Sequence, residues 1–446
     1  MTDSSAEVTD LLQHLIRNAC VNDGTRSSGG EARSADLLAG YFGGSGVDIA
    51  RYEPAPGRAN LVARIEGRRP DAPTLVLMGH TDVVPASPDR WRHDPFGGEL
   101  VDGEVWGRGA VDMLNLTASM AVATRTLATT PGFRPEGTLV YVAVADEEAL
   151  GTWGADHLTR HEPDAVGGDY VVTESGGIPV LADDGTVKLP VMVGEKGSCW
   201  CTLRMTGTPG HASLPYATDN ALVTAARVVD RLASYHPAAR ITDTWRRFLA
   251  ARALPDDLTE SLLDPDRFDD AVAGLPLGTA RQFHSCTHTT IAPTVVHGGT
   301  KTNVIPDRVD LQLDIRTLPG QTLPDVRALL DEALGDLADR VEIVEAFDDP
   351  ATESPVDTPL WDSLGRVAKA FYGGSHLVPM MNVGATDARF YRRLGTTSYG
   401  FGLFSRKMTF DDFGRMFHGD DERVDVESLR LSTEMWQALA RDLLGG

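Results

Sequence analysis

Residues 138–151 read TLVYVAVADEEALG, an apolar run that ends directly in three carboxylates. The run at 138–144 is typical of a strand that is covered on both faces. Asp146, Glu147 and Glu148 follow it. Acidic residues in such a place have an ordinary explanation, because Asp caps helices and Glu favours the first helical turn. The alternative is that the carboxylates belong to a site, and the rest of the chain decides between the two.

Strand-like and helical patterns alternate on both sides of this stretch. TLVLMG at 74–79 and DYVVT at 169–173 are further apolar runs, and TASMAVATRTLA, which begins at residue 117, has a helical pattern. This alternation predicts an α/β fold with a largely parallel sheet. Near Gly194 the sequence pattern changes. The predicted strands at 196–207 and 308–318 alternate apolar with polar residues. One solvated sheet face indicates a smaller, inserted α+β domain.

The chain of 446 residues is longer than one domain usually is. We predict a catalytic domain formed by residues 1–194 and 349–446, with the inserted domain at 195–348. The polar, helical stretch from about 240 to 290 contains no clear strand and fits neither pattern.

Composition narrows the possible partners. The net charge of −23 and the isoelectric point near 4.8 disfavour nucleic acids and anionic membranes, and favour small molecules or proteins. The first residues, MTDSSAEVTD, lack the pattern of a signal peptide, and no apolar run is long enough to span a bilayer. A cytoplasmic location is therefore predicted, with the four cysteines reduced and structural.

Polar side chains follow each of the three apolar runs. His80 and Asp82 come after the run at 74–79, the acidic trio after 138–144, and Glu174 after 169–173. The carboxyl ends of strands in an open parallel sheet share one crevice, which is the usual position of a ligand site. Because all three clusters consist of His and carboxylate residues, we interpret them as one site.

Asp112 in GRGAVDM and His418 in FHGDDERV extend this set to two imidazoles and several carboxylates. Such donors suit Zn²⁺ and tolerate Co²⁺ or Mn²⁺. Hydrolases with paired metal ions also use mixed His and carboxylate ligation. The residues therefore predict a metal-dependent hydrolase.

Taken in order, these motifs resemble those of the ArgE/DapE group of co-catalytic zinc amidohydrolases and exopeptidases, which includes aminoacylase, acetylornithine deacetylase, carboxypeptidase G and the carnosine dipeptidases. The motifs that carry the resemblance are GHTDVVP, GRGAVDM, ADEEALG, TESG, GTPGHAS, GGTKTNVIP, LDIRTLPG, VGATDARF and FHGDDERV. The resemblance implies a zinc-exopeptidase-like catalytic domain with a mixed, mainly parallel sheet, and an inserted α+β lid or dimerisation domain through which a homodimer could form.

The resemblance also implies a role for each site residue. Two zinc ions per chain are expected, with the metal ligands His80, Asp112, Glu148, Glu174 and His418. Asp112 would bridge the ions, with His80 and Glu174 on one of them and Glu148 and His418 on the other. Glu147 would be the general base, and Asp82 would accept the proton of the ring nitrogen of His80 that does not bind metal. The acidic trio would thus combine metal binding with proton transfer.

Three residues of the inserted domain are expected to act on the substrate by the same resemblance. His211 would stabilise the oxyanion of the tetrahedral intermediate. Asn303 and Arg316 would bind the carbonyl and the carboxylate of the substrate. The alternative for Arg316 is the solvated face of an alternating strand.

The leading hypothesis is a dizinc hydrolase that cleaves an amide or peptide bond in an N-acyl amino acid or a short peptide with a free carboxylate, through a metal-activated water. A dipeptidase or aminopeptidase that requires a free amine is the first alternative. An inactive metal-binding scaffold is the second, and the presence of Glu147 beside all the expected ligands speaks against it, because a scaffold needs no general base.

Overall fold

The computed structural model describes residues 4–182, 185–252 and 254–445. The chain forms two compact units. The first comprises Met1–Val193, Ser354–Met380 and Thr386–Gly446, and the second comprises Gly194–Glu353 and Met381–Ala385. The domain boundaries given above stay a prediction.

The strands, in chain order, have the following bounds: β1 Asp48–Ala55, β2 Arg58–Ile65, β3 Thr74–His80, β4 Glu99–Val101, β5 Glu104–Trp106, β6 Thr138–Val144, β7 Tyr170–Thr173, β8 Val180–Leu181, β9 Val187–Glu195, β10 Gly197–Thr206, β11 Gly210–His211, β12 Thr290–Gly298, β13 Val304–Ile305, β14 Arg308–Thr317, β15 Val341–Asp349, β16 Thr352–Glu353, β17 His376–Asn382, β18 Thr397–Gly400 and β19 Arg423–Asp425.

The α-helices have the following bounds: α1 Ser4–Arg17, α2 Ala32–Phe42, α3 Leu114–Thr129, α4 Ala155–His161, α5 Pro163–Val166, α6 Ala221–Ser234, α7 Asp243–Arg252, α8 Asp256–Leu262, α9 Phe268–Ala273, α10 Leu277–Thr287, α11 Leu323–Leu334, α12 Pro359–Phe371, α13 Ala388–Arg393, α14 Phe410–Met416 and α15 Val426–Leu444. Among the described residues, no helix is both long enough and apolar enough to cross a membrane.

The sheet of the first unit has the order β1-β2-β6-β3-β7-β18-β9. Its four central strands, β6, β3, β7 and β18, are parallel, and the flanking strands pair antiparallel. All seven residues of β6 are buried, as expected for a strand covered on both faces. This arrangement confirms the predicted mixed α/β fold, and it aligns the carboxyl ends of β3, β6 and β7.

Helices α1, α3 and α15 pack together, and α3 and α15 contact strands β3 and β6 of this sheet. Helix α3 is buried over most of its length, so it lies between the sheet and the other helices. Trp436 on α15 is fully buried and donates a hydrogen bond from Nε1 to Ser119 Oγ on α3 at 3.0 Å. The helices therefore give the strand ends a rigid support.

The second unit contains an antiparallel sheet of order β12-β14-β10-β15. Strand β14 alternates buried with more exposed residues, and α6 and α11 cover the buried face. The stretch near 240–290 forms helices α7 to α10, whose common core contains the aromatic residues Trp245, Phe248, Phe268 and Phe283. These helices and the alternating sheet make the second unit an α+β structure.

Candidate metal centre

The structure brings together the side chains that follow three parallel strands. His80 is the last residue of β3, Glu147 and Glu148 form a short 3-10 turn after β6, and Glu174 follows β7 directly. Strand β3 pairs with both β6 and β7, so these strand ends are neighbours. Asp112 precedes α3, and His418 follows α14. One pocket of the first unit therefore holds all five predicted metal ligands and the predicted base.

Asp112 lies between the two imidazoles. Its Oδ1 is 3.2 Å from Nε2 of His80, and its Oδ2 is 2.9 Å from Nε2 of His418. A second carboxylate lies near each imidazole, since His80 Nε2 is 3.9 Å from Glu174 Oε2 and His418 Nε2 is 3.2 Å from Glu148 Oε2. The donors thus form two groups that share Asp112.

Neighbouring residues of the 3-10 turn face different groups. Glu147 clusters with His80 and Glu174, whereas Glu148 clusters with His80 and Asp112, and in each cluster the candidate ligand atoms lie within 4.8 Å of one another. Two adjacent carboxylates can therefore have different tasks at one centre.

The electrostatics of the pocket follow from burial of many carboxylates. Burial is the main factor that raises the pKa of Glu147 and Glu174 well above the usual range, and neighbouring carboxylates add to it. Burial opposes charge on His80, but its hydrogen bond to Asp112 and the charges of Glu174 and Glu147 raise its pKa. Hydrogen bonds to Asp112 and Glu148 raise the pKa of His418 to about 10. The pocket therefore favours bound positive charge.

The donors fit a pair of divalent metal ions. His and carboxylate donors in a buried site are suitable ligands for Zn²⁺ and related ions. Glu148 Oε1 is buried and has no hydrogen-bond partner among the described residues, which is costly unless a further ligand engages it. A cation at this oxygen would remove that cost.

Left-handed backbone conformations hold the acidic turn. Asp146 has φ +70° and Leu150 has φ +79°, and the amide of Gly151 donates to the Asp146 carbonyl at 2.6 Å. His418 itself has φ +55°. Such conformations are uncommon in residues other than glycine and cluster at functional sites. The surrounding contacts must therefore fix both the turn and the histidine.

Asp82 contacts the ring of His80 through its main chain and the acidic turn through its side chain. Nδ1 of His80 lies 2.9 Å from the main-chain carbonyl of Asp82, whereas the nearer carboxylate oxygen is 3.6 Å away. The carbonyl can only accept, so it is this carbonyl that fixes the ring tautomer. The Asp82 carboxylate instead accepts hydrogen bonds from the amides of Glu147 and Glu148, at 3.2 and 3.1 Å. It therefore orients the acidic turn.

A buried polar network behind the turn was not predicted. Asn22 Nδ2 donates to Asp82 at 2.9 Å and to Asp146 at 3.1 Å. Arg58 donates to Glu31 at 2.6 Å and lies 3.5 Å from Asp146. Each partner comes from a distant part of the chain, so no local motif reveals it.

Glu422 is a further residue near the centre that the sequence analysis did not identify. Its Oε1 accepts from the amides of Val111 and Asp112 at 2.7 and 3.0 Å, and its Oε2 accepts from Arg108 at 2.9 Å. Burial raises the pKa of this carboxyl to about 7. The residue stands inside the quoted motif FHGDDERV, four positions after His418. Glu422 therefore positions the loop that carries Asp112.

Glu422→Gln should lower both stability and metal affinity. The amide group places a donor against backbone amides and Arg108, which leaves buried groups unpaired at a cost of about 1–3 kcal/mol each. Thermal unfolding and metal analysis of the purified variant measure the two effects. Glu427→Gln is the matched control, because that carboxylate pairs with Arg430 on the surface. Unchanged stability and metal content in Glu422→Gln would contradict the positioning role.

The remaining three predicted residues lie in the second unit. His211 Nδ1 is 2.7 Å from the Ser213 hydroxyl, and the carbonyl of Asn303 accepts from the amide of Ala212 at 3.0 Å, so His211 and Asn303 are on neighbouring segments. The guanidinium of Arg316 donates to both carboxylate oxygens of Asp314, at 2.7 and 3.0 Å, and to Ser198 Oγ at 2.6 Å. Arg316 is thus already held by a carboxylate of its own strand.

Comparison with known proteins identifies the family of the chain. Residues 76–442 match the family described as Peptidase family M20/M25/M40. The chain belongs to this family. It is therefore a metal-dependent hydrolase of amide or peptide bonds, which confirms the predicted family and enzyme class.

Individual members of the family are similar over most of their length. A probable carboxypeptidase S-like 2 from Dictyostelium discoideum is 26% identical, over 86% of this chain and 74% of that protein. A succinyl-diaminopimelate desuccinylase from Cereibacter sphaeroides is 27% identical, over 92% and 94%. The crystal structure of a dinuclear metal-binding M20 peptidase from Bacillus subtilis superposes with a TM-score of 0.61 at 14% identity, covering 98% of this chain and 99% of that one. That last likeness concerns the fold.

Proposed function

We propose that this chain is a dizinc hydrolase that cleaves the amide bond of an N-acyl amino acid, or of a short peptide, next to a free carboxylate. The observation that carries the proposal is the position of Asp112 between His80 and His418, with Glu147 in the same pocket. Similarity to a desuccinylase and to a carboxypeptidase supports this substrate class. We propose Zn²⁺ as the metal at this centre, and Co²⁺ or Mn²⁺ as ions that can replace it.

When bound, the metal pair supplies Lewis-acid polarisation of the scissile carbonyl and lowers the pKa of water. Glu147 accepts a proton from the attacking water, whose oxygen forms a bond to the carbonyl carbon. Glu147 then gives this proton to the leaving amine as the carbon–nitrogen bond breaks, so that a carboxylic acid and an amine are released. The raised pKa of Glu147, caused first by burial, suits a group that must both take and return a proton. The amides bound to Asp82 keep Glu147 in place.

We assign substrate contacts to three residues of the second unit. His211 would donate to the oxyanion, Asn303 would bind the carbonyl oxygen, and Arg316 would bind the substrate carboxylate. Because Asp314 already occupies two donor positions of Arg316, a substrate carboxylate has to replace it or share the guanidinium. Arg316 on this account serves specificity.

We also propose a domain division, a state of assembly and a location for the chain. Residues 1–194 and 349–446 would form the catalytic domain, and residues 195–348 a lid or dimerisation domain. The chain would form a homodimer through that inserted domain, and it would be located in the cytoplasm. Sedimentation velocity of the purified chain reports its state of assembly.

The proposed substrate class is tested by measuring amine release from a panel of N-acetyl, N-succinyl and N-carbamoyl amino acids and dipeptides, each also as its C-terminal amide. Arg316→Lys should raise KM or lower kcat/KM for the free carboxylates and leave the amides nearly unchanged, because Lys cannot form the two-pronged contact of Arg. An equal loss on both series would contradict a carboxylate-binding role. Activity only on substrates with a free α-amine would replace the proposed function by an aminopeptidase or dipeptidase.

A further inference from the structure

A second cluster of metal-binding side chains lies in the helical segment of the second unit. His284 and His288 are four residues apart at the end of α10, and their rings stack with centroids 3.9 Å apart and an interplanar angle of 2°. Asp269 on α9 places Oδ1 3.6 Å from Nε2 of His288. The candidate ligand atoms of the three side chains all lie within 4.8 Å of one another. Two imidazoles and a carboxylate therefore lie within a few ångströms of one another.

Hydrogen bonds fix the tautomer of His288. Its Nδ1 lies 3.0 Å from the carbonyl oxygen of His284 and 2.9 Å from Oγ1 of Thr287. A carbonyl can only accept, so Nδ1 carries the proton and Nε2 presents a lone pair on the side of Asp269. Histidines that bind metals typically donate their other ring N–H to a carbonyl or carboxylate in this way. His288 is thus oriented as a ligand although it is 1% exposed.

We propose that Asp269, His284 and His288 form a metal site of their own, separate from the ligands of the first unit. Two imidazole nitrogens and one carboxylate oxygen are a donor set for Zn²⁺, with water completing a tetrahedron. Asp269 is exposed, which gives an ion a path from solvent. Because the two rings are parallel, one imidazole has to rotate about its side-chain bonds before both histidines can bind one ion.

The charge of the surroundings has both signs. Burial lowers the pKa of both histidines, that of His288 to about 4. Lys196 lies nearby and donates from Nζ to the His288 carbonyl at 2.7 Å. Burial lowers the pKa of Lys196 to about 7, which reduces its opposing charge. The carboxylate of Asp269 attracts a cation, so the charges around the cluster permit a bound metal ion.

An ion at this cluster would link α9 to α10. Phe268 on α9 contacts the ring of His288, with centroids 5.2 Å apart, and Trp245 lies 5.8 Å from Phe268. The cluster therefore borders the aromatic core of the segment. Binding there would stabilise α7 to α10 through linkage between ligand binding and folding.

The test is a zinc titration of the full chain after metal removal, read by equilibrium dialysis and elemental analysis. His284→Gln should bind one zinc ion fewer than the wild type, and Asp269→Asn should bind that ion about tenfold more weakly or worse, since even outer-shell partners contribute that much. Zinc should raise the melting temperature of the wild type more than that of His284→Gln. The hydrolytic activity of both variants should stay at the wild-type level, so the outcome does not depend on the proposed catalytic centre.

His157→Gln is the matched control. His157 and His161 are also four residues apart, on α4, with ring centroids 4.6 Å apart, but within the described part of the chain no carboxylate completes a metal-binding cluster with them. This variant should keep the zinc number of the wild type. Equal zinc binding by the wild type, His284→Gln and Asp269→Asn would overturn the proposal, and so would an equal loss in His157→Gln. If His284→Gln does not fold, Asp269→Asn decides, because its side chain lies at the surface.

Discussion

Glu147→Gln should lower kcat by about 10²–10⁴-fold, the usual contribution of a positioned general base, while the protein keeps its metal. The amide cannot take a proton from water, and it occupies nearly the same volume. The substitution leaves Asp112, its two imidazole partners and Glu148 unchanged. The two metal ions would therefore keep their main ligands. The variant should therefore lose catalytic rate while its metal content stays at the wild-type level.

Glu148→Gln is the comparison that makes this result specific. Glu148 Oε2 is 3.2 Å from His418 Nε2, and its other oxygen has no hydrogen-bond partner among the described residues, so its substitution should weaken metal binding itself. Elemental analysis and steady-state kinetics are measured on the same preparations. If the two variants lose metal and rate in the same proportion, the separate roles given to the adjacent carboxylates are wrong.

The parallel centre of the sheet could be predicted because its signals are local. Each of the runs at 74–79, 138–144 and 169–173 is mainly apolar and is followed by His or carboxylate residues, and the carboxyl ends of parallel strands lie on the same edge. Proximity of His80, Glu148 and Glu174 follows from this rule alone. Among the antiparallel pairings, β1 and β2 form a local hairpin, whereas β2–β6 and β18–β9 join distant residues, and no such rule applies to those two.

The supports of the centre could not be predicted, because they join residues far apart in the chain. Asn22 is 124 positions from Asp146, and Glu422 is 311 positions from Val111. Nothing in the neighbourhood of Asn22 distinguishes it from a surface residue. The hydrogen bond of His80 to a main-chain carbonyl is equally hidden, because it depends on the path of the backbone after β3.

Arg316 illustrates a contact that the strand pattern could have predicted. Residues two apart on a strand lie on the same face, and Asp314 is two positions before Arg316. The observed pair of hydrogen bonds between them is therefore a consequence of the alternation in β14. Attention to this spacing would have indicated that the guanidinium has a resident partner.

His80→Ala and His418→Ala should each remove one metal ion and abolish most of the activity. The two imidazoles lie on different oxygens of Asp112, so each variant disrupts one group of donors and leaves the other in place. His80 is 1% exposed, and its removal also takes one imidazole partner from the buried carboxylates of Asp112 and Glu174. The His418 side chain is 46% exposed. His80→Ala should consequently lose stability as well as metal, whereas His418→Ala should lose mainly metal.

His93→Ala is the control for these two variants, because His93 also lies near a carboxylate, 3.2 Å from Glu99, but outside the centre. It should keep the metal content and activity of the wild type. The double variant of His80 and His418 should lose both ions of the centre, and its activity should fall little below that of either single variant, because a two-metal centre acts as a unit and its losses are not additive. Full metal occupancy in both single variants would contradict the ligand assignment. Losses that multiply in the double variant would instead show that each histidine contributes independently, which would contradict the proposal that both ions share Asp112.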